Sequence, residues 1–219
     1  MSELLPYIKG ERVGRVVGIT FDDGYLNNLT HAAPVLKAFE FSSTCYVVSD
    51  LMGTTNSWDA QIGVPSAALM SKQELLEWIG AGQEVGSHTR THAHLTQLSS
   101  VLAHEEIVSS KTQLELSLGV PVHQFCYPYG EYDSSHINLV RGAGYWAATT
   151  TKRGRVVAGV AHKISRAQNQ LPHPQPNPQP HPHPQPNPFE LHRVPIVRST
   201  SWLQFILKIA TSYEDHHKN

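Results

Sequence analysis

VGRVVGITFDDGY, residues 13–25, runs an apolar stretch straight into two adjacent carboxylates and a glycine. Val13 to Phe21 has the β-branched, apolar character of a strand. Asp22 and Asp23 at its end repel one another and are poor strand formers. Asp–Gly is a common turn pair, so an acidic turn capping the next helix is one reading of the doublet. The other is a functional site, because parallel α/β folds gather their C-terminal strand ends on the face where ligands bind. The rest of the chain decides between them.

Strand-like and helix-like patterns alternate downstream. Thr30 to Phe39 reads as a helix, Thr44 to Val48 as a strand, and Glu84 to His88 as another. A helix starts after Ser71, where Ser71 and Glu74 form a capping-box pattern ahead of Leu75, Leu76 and Ile79. Ser100 to Leu118 has the length of an amphipathic helix, with Gly119 as its stop. Gln124–Tyr127 and Tyr145–Thr150 read as strands around a helix at Ser135–Ala143. Arg193–Val197 and Ser201–Ser212 form a last strand and helix. This alternation predicts an α/β fold with a largely parallel sheet. Six or seven units in so short a chain favour a small or incomplete barrel, and no GxGxxG turn follows the first strand to suggest a dinucleotide fold.

The 219 residues are expected to form a single domain over 1–219, with a core at about 13–209. One segment stands outside that core: LPHPQPNPQPHPHPQPNP, 171–188, has proline at every second position. Proline donates no amide and pushes its predecessor out of the α region, so an extended, polyproline-like insertion of up to roughly 50 Å is expected. His173, His181 and His183 within it read as solvated linker residues.

Seventeen basic residues against eighteen acidic ones leave a net charge of −1, which gives no electrostatic case for nucleic acid or an anionic membrane as partner. Cys45 and Cys126 lie in apolar runs and read as buried free thiols. No stretch reaches the ~18–20 apolar residues of a membrane span, and MSELLPYIKGER lacks the order of a signal peptide. As written, the sequence reads as a soluble cytoplasmic protein.

Three segments carry chemistry: TFDDG at 20–24, SHTRTH at 87–92 and YPYG at 127–130, each after an expected strand. His88 and His92 are four apart, a spacing at which imidazoles on one helical turn can grip a single metal ion. A carboxylate would complete a His–His–Asp set with positions open to water and substrate. One Asp of the doublet could then bind the metal while its neighbour takes a proton from water.

In order and spacing these segments resemble the polysaccharide deacetylase family, also called the NodB homology domain or carbohydrate esterase family 4. The family's TFDDG motif is intact at Thr20–Gly24, its H(S/T)xxH motif is intact at His88–His92, and its R-x-P-Y-G motif corresponds to Cys126–Gly130. The FCYPYG form resembles the branch that deacetylates poly-N-acetylglucosamine-type exopolysaccharides. The resemblance implies a distorted (β/α) barrel of six to seven strands and one divalent metal ion, commonly zinc, cobalt or nickel. It also implies hydrolysis of N-acetyl, or sometimes O-acetyl, groups on an amino-sugar polysaccharide by attack of a metal-bound water. Carried over by position, Asp22 is the general base, Asp23, His88 and His92 bind the metal, and Pro128 and the Tyr129 amide line the oxyanion side.

The departures are equally specific. Cys126 stands where the family has an arginine that orients the catalytic Asp. No Asp–Trp fourth motif is evident, since Tyr145-Trp146 carries no acid. Leu191-His192 is the nearest match to the family's leucine–histidine fifth motif, which makes His192 the candidate general acid. Two other readings stay open: a carbohydrate-binding remnant with little turnover, and a deacylase of another small or lipid-linked amide.

Overall fold

The computed structural model describes residues 1–156 and 186–216. Residues 171–185 of the proline-rich stretch lie outside the described residues. Six strands form one sheet: β1 (Ile19–Phe21), β2 (Ser43–Val47), β3 (Glu84–Ser87), β4 (Gln124–Cys126), β5 (Ala147–Arg153) and β6 (Leu191–Arg193). They lie side by side in chain order, every neighbouring pair parallel. Sequential parallel strands with helical crossovers are the winding of a (β/α) barrel. The sheet curls far enough that Arg193 of β6, at one edge, reaches Thr20 and Asp22 at the other, its closest contact 2.6 Å long. No backbone ladder joins β1 to β6 among the described residues, so the barrel is incomplete and its seam is bridged by side chains.

Local sequence accounts for the helices that wrap it. Among them are a short α1 (Leu5–Ile8), α2 (Ala33–Ala38), α3 (Lys72–Gly80), α4 (Ser100–Leu118), α5 (Ser134–Gly142) and α6 (Trp202–Ala210). At the start of α3 the Ser71 hydroxyl accepts from the Glu74 amide while Glu74 accepts from the Ser71 amide at 2.7 Å, the reciprocal cap expected from the sequence. Helix α4 ends at Gly119, whose φ of 69° closes the helix in the left-handed region. It buries Ala103, Ile107, Ser110, Leu114 and Leu118, a stripe at three- and four-residue spacing. That stripe meets Leu75 and Trp78 of α3, Phe125 and Tyr127 at β4, and Val140 of α5 in the main core. Each of the larger apolar side chains here, such as Ile107, Leu114 and Phe125, contributes about 1.5–3 kcal/mol through removal from water.

A second, smaller cluster plugs the end of the barrel where the strands begin. Leu5 and Ile8 of α1 pack there on Ala147 and Leu191. Inside the barrel, the fully buried Tyr46 ring crosses β3 at Gly86, where a Cβ would lie 2.5 Å from the ring.

Several boundaries differ from the sequence reading. The first strand covers Ile19–Phe21 rather than Val13–Phe21, because β1 is the sheet edge and the residues before it find no partner strand; Val13 is 97% exposed. The expected helix at Thr30–Phe39 opens with a π-helical turn, Asn28–Ala32, before α2. Pro34 explains this: it has no amide to bond Thr30, so the preceding turn widens. The last strand is Leu191–Arg193 rather than Arg193–Val197, since Pro195 cannot donate to a ladder. The strand expected at Tyr145–Thr150 is shifted to Ala147–Arg153.

The packing of Tyr46 against Gly86 gives a direct test. Gly86→Ala should destabilise the fold by about 1–3 kcal/mol, as overpacking a filled core does, read as a lower urea midpoint with an unchanged slope.

Candidate metal and catalytic site

Strands β1, β3 and β4 end at Phe21, Ser87 and Cys126, and Asp22, His88 and Tyr127 follow immediately after them. His88 continues the β3 ladder, its amide donating to the Val47 carbonyl at 2.9 Å. The chain then turns at Thr89 (φ 66°) and again at His92 (φ 62°), and HTRTH is a loop rather than the helical turn its spacing suggested. The turn is fixed from within and without. Thr89 Oγ1 accepts from the His92 amide at 3.1 Å, and Glu106 of α4 accepts from the Arg90 and Thr91 amides at 2.9 and 3.0 Å.

This loop brings both imidazoles onto one carboxylate oxygen: His88 Nε2 and His92 Nε2 each lie 3.4 Å from Asp23 Oδ1. Asp23 itself has φ 71°, a conformation costly for a non-glycine residue and concentrated at functional sites. His88 Nδ1 sits 2.8 Å from the Cys126 carbonyl, which leaves Nε2 facing Asp23, the arrangement that orients metal-binding histidines. His92 Nδ1 is buried with no protein partner. The donor atoms of Asp23, His88 and His92 all lie within 4.8 Å of one another. Two buried imidazoles and one carboxylate converging in this way fit a zinc-type divalent cation with open positions.

The electrostatics match that geometry. Burial raises the Asp23 pKa, but hydrogen bonds and charge from His88 and His92 outweigh it and hold the carboxyl well below the ordinary range. The two histidines move in opposite directions. Burial opposes charge on His88, yet Cys126 and Asp23 prevail and its pKa rises well above the ordinary value. His92 is pushed down, by burial first and by repulsion from His88.

Asp22 points into the same region and is gripped by a residue that sequence reasoning did not single out. Arg193 Nη1 and Nη2 donate to its two oxygens at 2.6 and 2.8 Å, a bidentate pair. Cys126 Sγ lies 3.8 Å from Asp22 Oδ1 and 3.5 Å from Arg193 Nη2. Both cysteines are free and buried. Burial works to raise the Asp22 pKa, and Arg193 reverses this and lowers it. The only sequence signal for Arg193 was a cation among the apolar residues of an expected last strand.

The third segment forms the wall opposite. Pro128 is buried, and Tyr129 (φ 57°) is partly exposed, its ring edge-on to His92 at 4.6 Å and stacked on His94 at 3.9 Å. Gly130 is required here: its φ is 70°, and a Cβ would fall 1.9 Å from Thr151 Oγ1. Trp58, from the loop after β2, stacks on His92 at 4.4 Å. Asp22, Asp23, His88, His92, Pro128 and Tyr129 are thus brought together. His192 is not. It is exposed on β6, and strand alternation sends it to the side opposite Arg193, near Gly154.

Known proteins share this framework. Residues 9–148 match the polysaccharide deacetylase family. The curated protein YxkH of Bacillus subtilis (strain 168) is 26% identical over 140 residues, covering 64% of this chain and 46% of its own; the chain therefore spans less than half the length of that relative. The structure of the Streptococcus pyogenes deacetylase PplD in complex with acetate superposes with a TM-score of 0.70 at 20% identity, over 95% of this chain and 77% of the other. A polysaccharide deacetylase from Bacillus cereus gives 0.61 at 27% identity, over 88% of this chain and 50% of that one. Since the match takes in the first two strand-end segments and the YPYG turn that meet at the site, the chain belongs to the polysaccharide deacetylase family.

Proposed function

We propose that this protein is a metal-dependent hydrolase that removes N-acetyl, or O-acetyl, groups from an amino-sugar polysaccharide. The observation that carries the reading is the division of labour in the doublet. Asp23 lies against two imidazoles, while its neighbour Asp22 is held through both oxygens by Arg193.

Asp23, His88 and His92 would hold the cation. When bound, such a cation lowers the pKa of a coordinated water towards ~7 and polarises an acyl oxygen. Asp22 takes the proton from the attacking water. Its arginine partner keeps it ionised and orients both oxygens, so it is a weak base held in the right place. The Tyr129 main-chain N–H donates to the oxyanion that develops on the acyl carbon. The aromatic rings of Trp58 and Tyr129 flank His92 and restrict access of bulk water to it. The family match and the fold shared with deacetylases support an acetylated glycan as substrate.

One observation favours a slower variant of the same reading, in which the protein binds metal and glycan but turns over little: His192 lies away from the cluster. Bound zinc and bound oligosaccharide with no acetate released from N-acetylglucosamine oligomers would select it.

Asp22→Asn should reduce acetate release by about 10²–10⁴-fold, the usual contribution of a general base, with zinc content per chain unchanged. His92→Ala should instead lose the zinc, measured by metal analysis after dialysis. Zinc binding should also expel a proton. The raised His88 pKa favours the charged imidazole when no metal is bound, and that proton must leave for the ring nitrogen to ligate. Release of about one proton is expected, with affinity falling as pH drops; calorimetry in buffers of different ionisation enthalpy reads it. Binding with no proton exchange at pH 7 would contradict the assignment.

A further inference from the structure

We infer that Arg193 is the positioning residue for the catalytic base, and that the guanidinium needed beside Asp22 has moved from β4 to β6. This rests on the deacetylase reading of the site. Four observations carry it. Arg193 has its five donors committed around Asp22: Nε bonds the Thr150 carbonyl at 2.8 Å, Nη1 bonds Asp22 and Thr20, and Nη2 bonds Asp22 and reaches Cys126. The Nε bond to the β5 backbone fixes the plane of the fork before it meets the carboxylate. A planar fork of this kind holds both oxygens of a carboxylate, where an ammonium would hold a point.

The second observation is the small side chain opposite. Cys126 ends β4 just before the YPYG segment, and its sulfur is 3.5 Å from Nη2 and 3.8 Å from Asp22 Oδ1. A long cation at 126 would have to occupy the space that the Arg193 guanidinium fills. The small thiol at 126 therefore lies in contact with the guanidinium that enters from β6.

The third is the topology. β1 and β6 are the two edges of the sheet, and the described residues include no backbone ladder between them. The Asp22–Arg193 pair spans that seam, so the contact that aims the base also ties the first strand to the last. The fourth is burial: the Arg193 side chain is 20% exposed and that of Asp22 33%, so the pair is partly screened from solvent rather than a loose surface contact.

The test uses zinc-loaded protein and N-acetylglucosamine oligomers. Arg193→Met should lower kcat by about 10²-fold, the scale of loss when a reacting group is misplaced, while KM and zinc content hold. Arg193→Lys, which restores charge without the fork, should recover only part of the loss. The double variant Cys126→Arg with Arg193→Met returns a guanidinium from the β4 side and should regain roughly tenfold over Arg193→Met. A second arm needs no turnover: in a thermal cycle with Asp22→Asn and Arg193→Met, the double variant should lose less Tm than the two single losses summed. Wild-type kcat in a zinc-loaded Arg193→Met, no recovery in the folded double variant, or additive Tm losses would each overturn the inference. A wild-type protein that binds zinc and releases no acetate would sink the deacetylase reading instead, and the thermal cycle would still decide whether Arg193 holds Asp22.

Discussion

The bidentate contact between Arg193 and Asp22 is the constraint on which the catalytic face depends. A parallel sheet can close only by backbone pairing of its edge strands or by something that substitutes for it. Here β1 is three residues long and β6 is three residues long, and they are the edges. Their side chains make the contact. An ion pair at this depth gains from a dielectric lower than water's, and the added bonds from Arg193 to Thr20 and Thr150 reduce the desolvation cost that weakens isolated pairs. The first motif of the sequence is thereby held by the last strand of the fold.

The stiffness of the surrounding core makes such a site affordable. Five non-glycine residues have positive φ among the described residues, and Asp23, Thr89, His92 and Tyr129 are four of them. Backbone in that region costs of order 1–3 kcal/mol per residue and persists only where the neighbourhood enforces it. The enforcement is visible: Glu106 on the long helix α4 clamps the HTRTH loop, and the stripe from Ala103 to Leu118 anchors that helix in the core. Core packing, a clamped loop and two aimed imidazoles form one chain of cause.

Much of this was legible in the sequence. The capping box at Ser71 and Glu74, the length of α4 and the strand-end placement of TFDDG, HTRTH and YPYG are local signals, and local signals survive translation into structure. Three features were not legible. The spacing of His88 and His92 suits a helical turn, but Thr89 and His92 turn the chain the other way, and spacing alone cannot tell a helix from a clamped loop. The partner of Asp22 lies 171 residues away and depends on register at β6. Reading that strand from Arg193 onward rather than from Leu191 hid the alternation that sends Arg193 inward and His192 outward. Cys126 read as a lost charge because the gain lay on a different strand.

The Arg193 contact bears on how Asp22 would work as the proposed base. Arginine in direct contact lowers the pKa of Asp22, so the carboxylate is always available but attracts protons weakly. Such a base cannot deprotonate ordinary water, whose pKa of 15.7 leaves too large a gap. Under the proposed function the proton it accepts would come from a water already made acidic, and the residues that would hold the cation are the next residue in the chain and the two imidazoles facing it. The two carboxylates therefore depend on one another in opposite senses. In the proposed reaction Asp23 would serve as a ligand beside His88 and His92, and Asp22 would act only while those three residues hold the cation. A family member that kept Asp22 and Arg193 but lost His88 or His92 would retain an intact, well-oriented base with nothing acidic enough to act on.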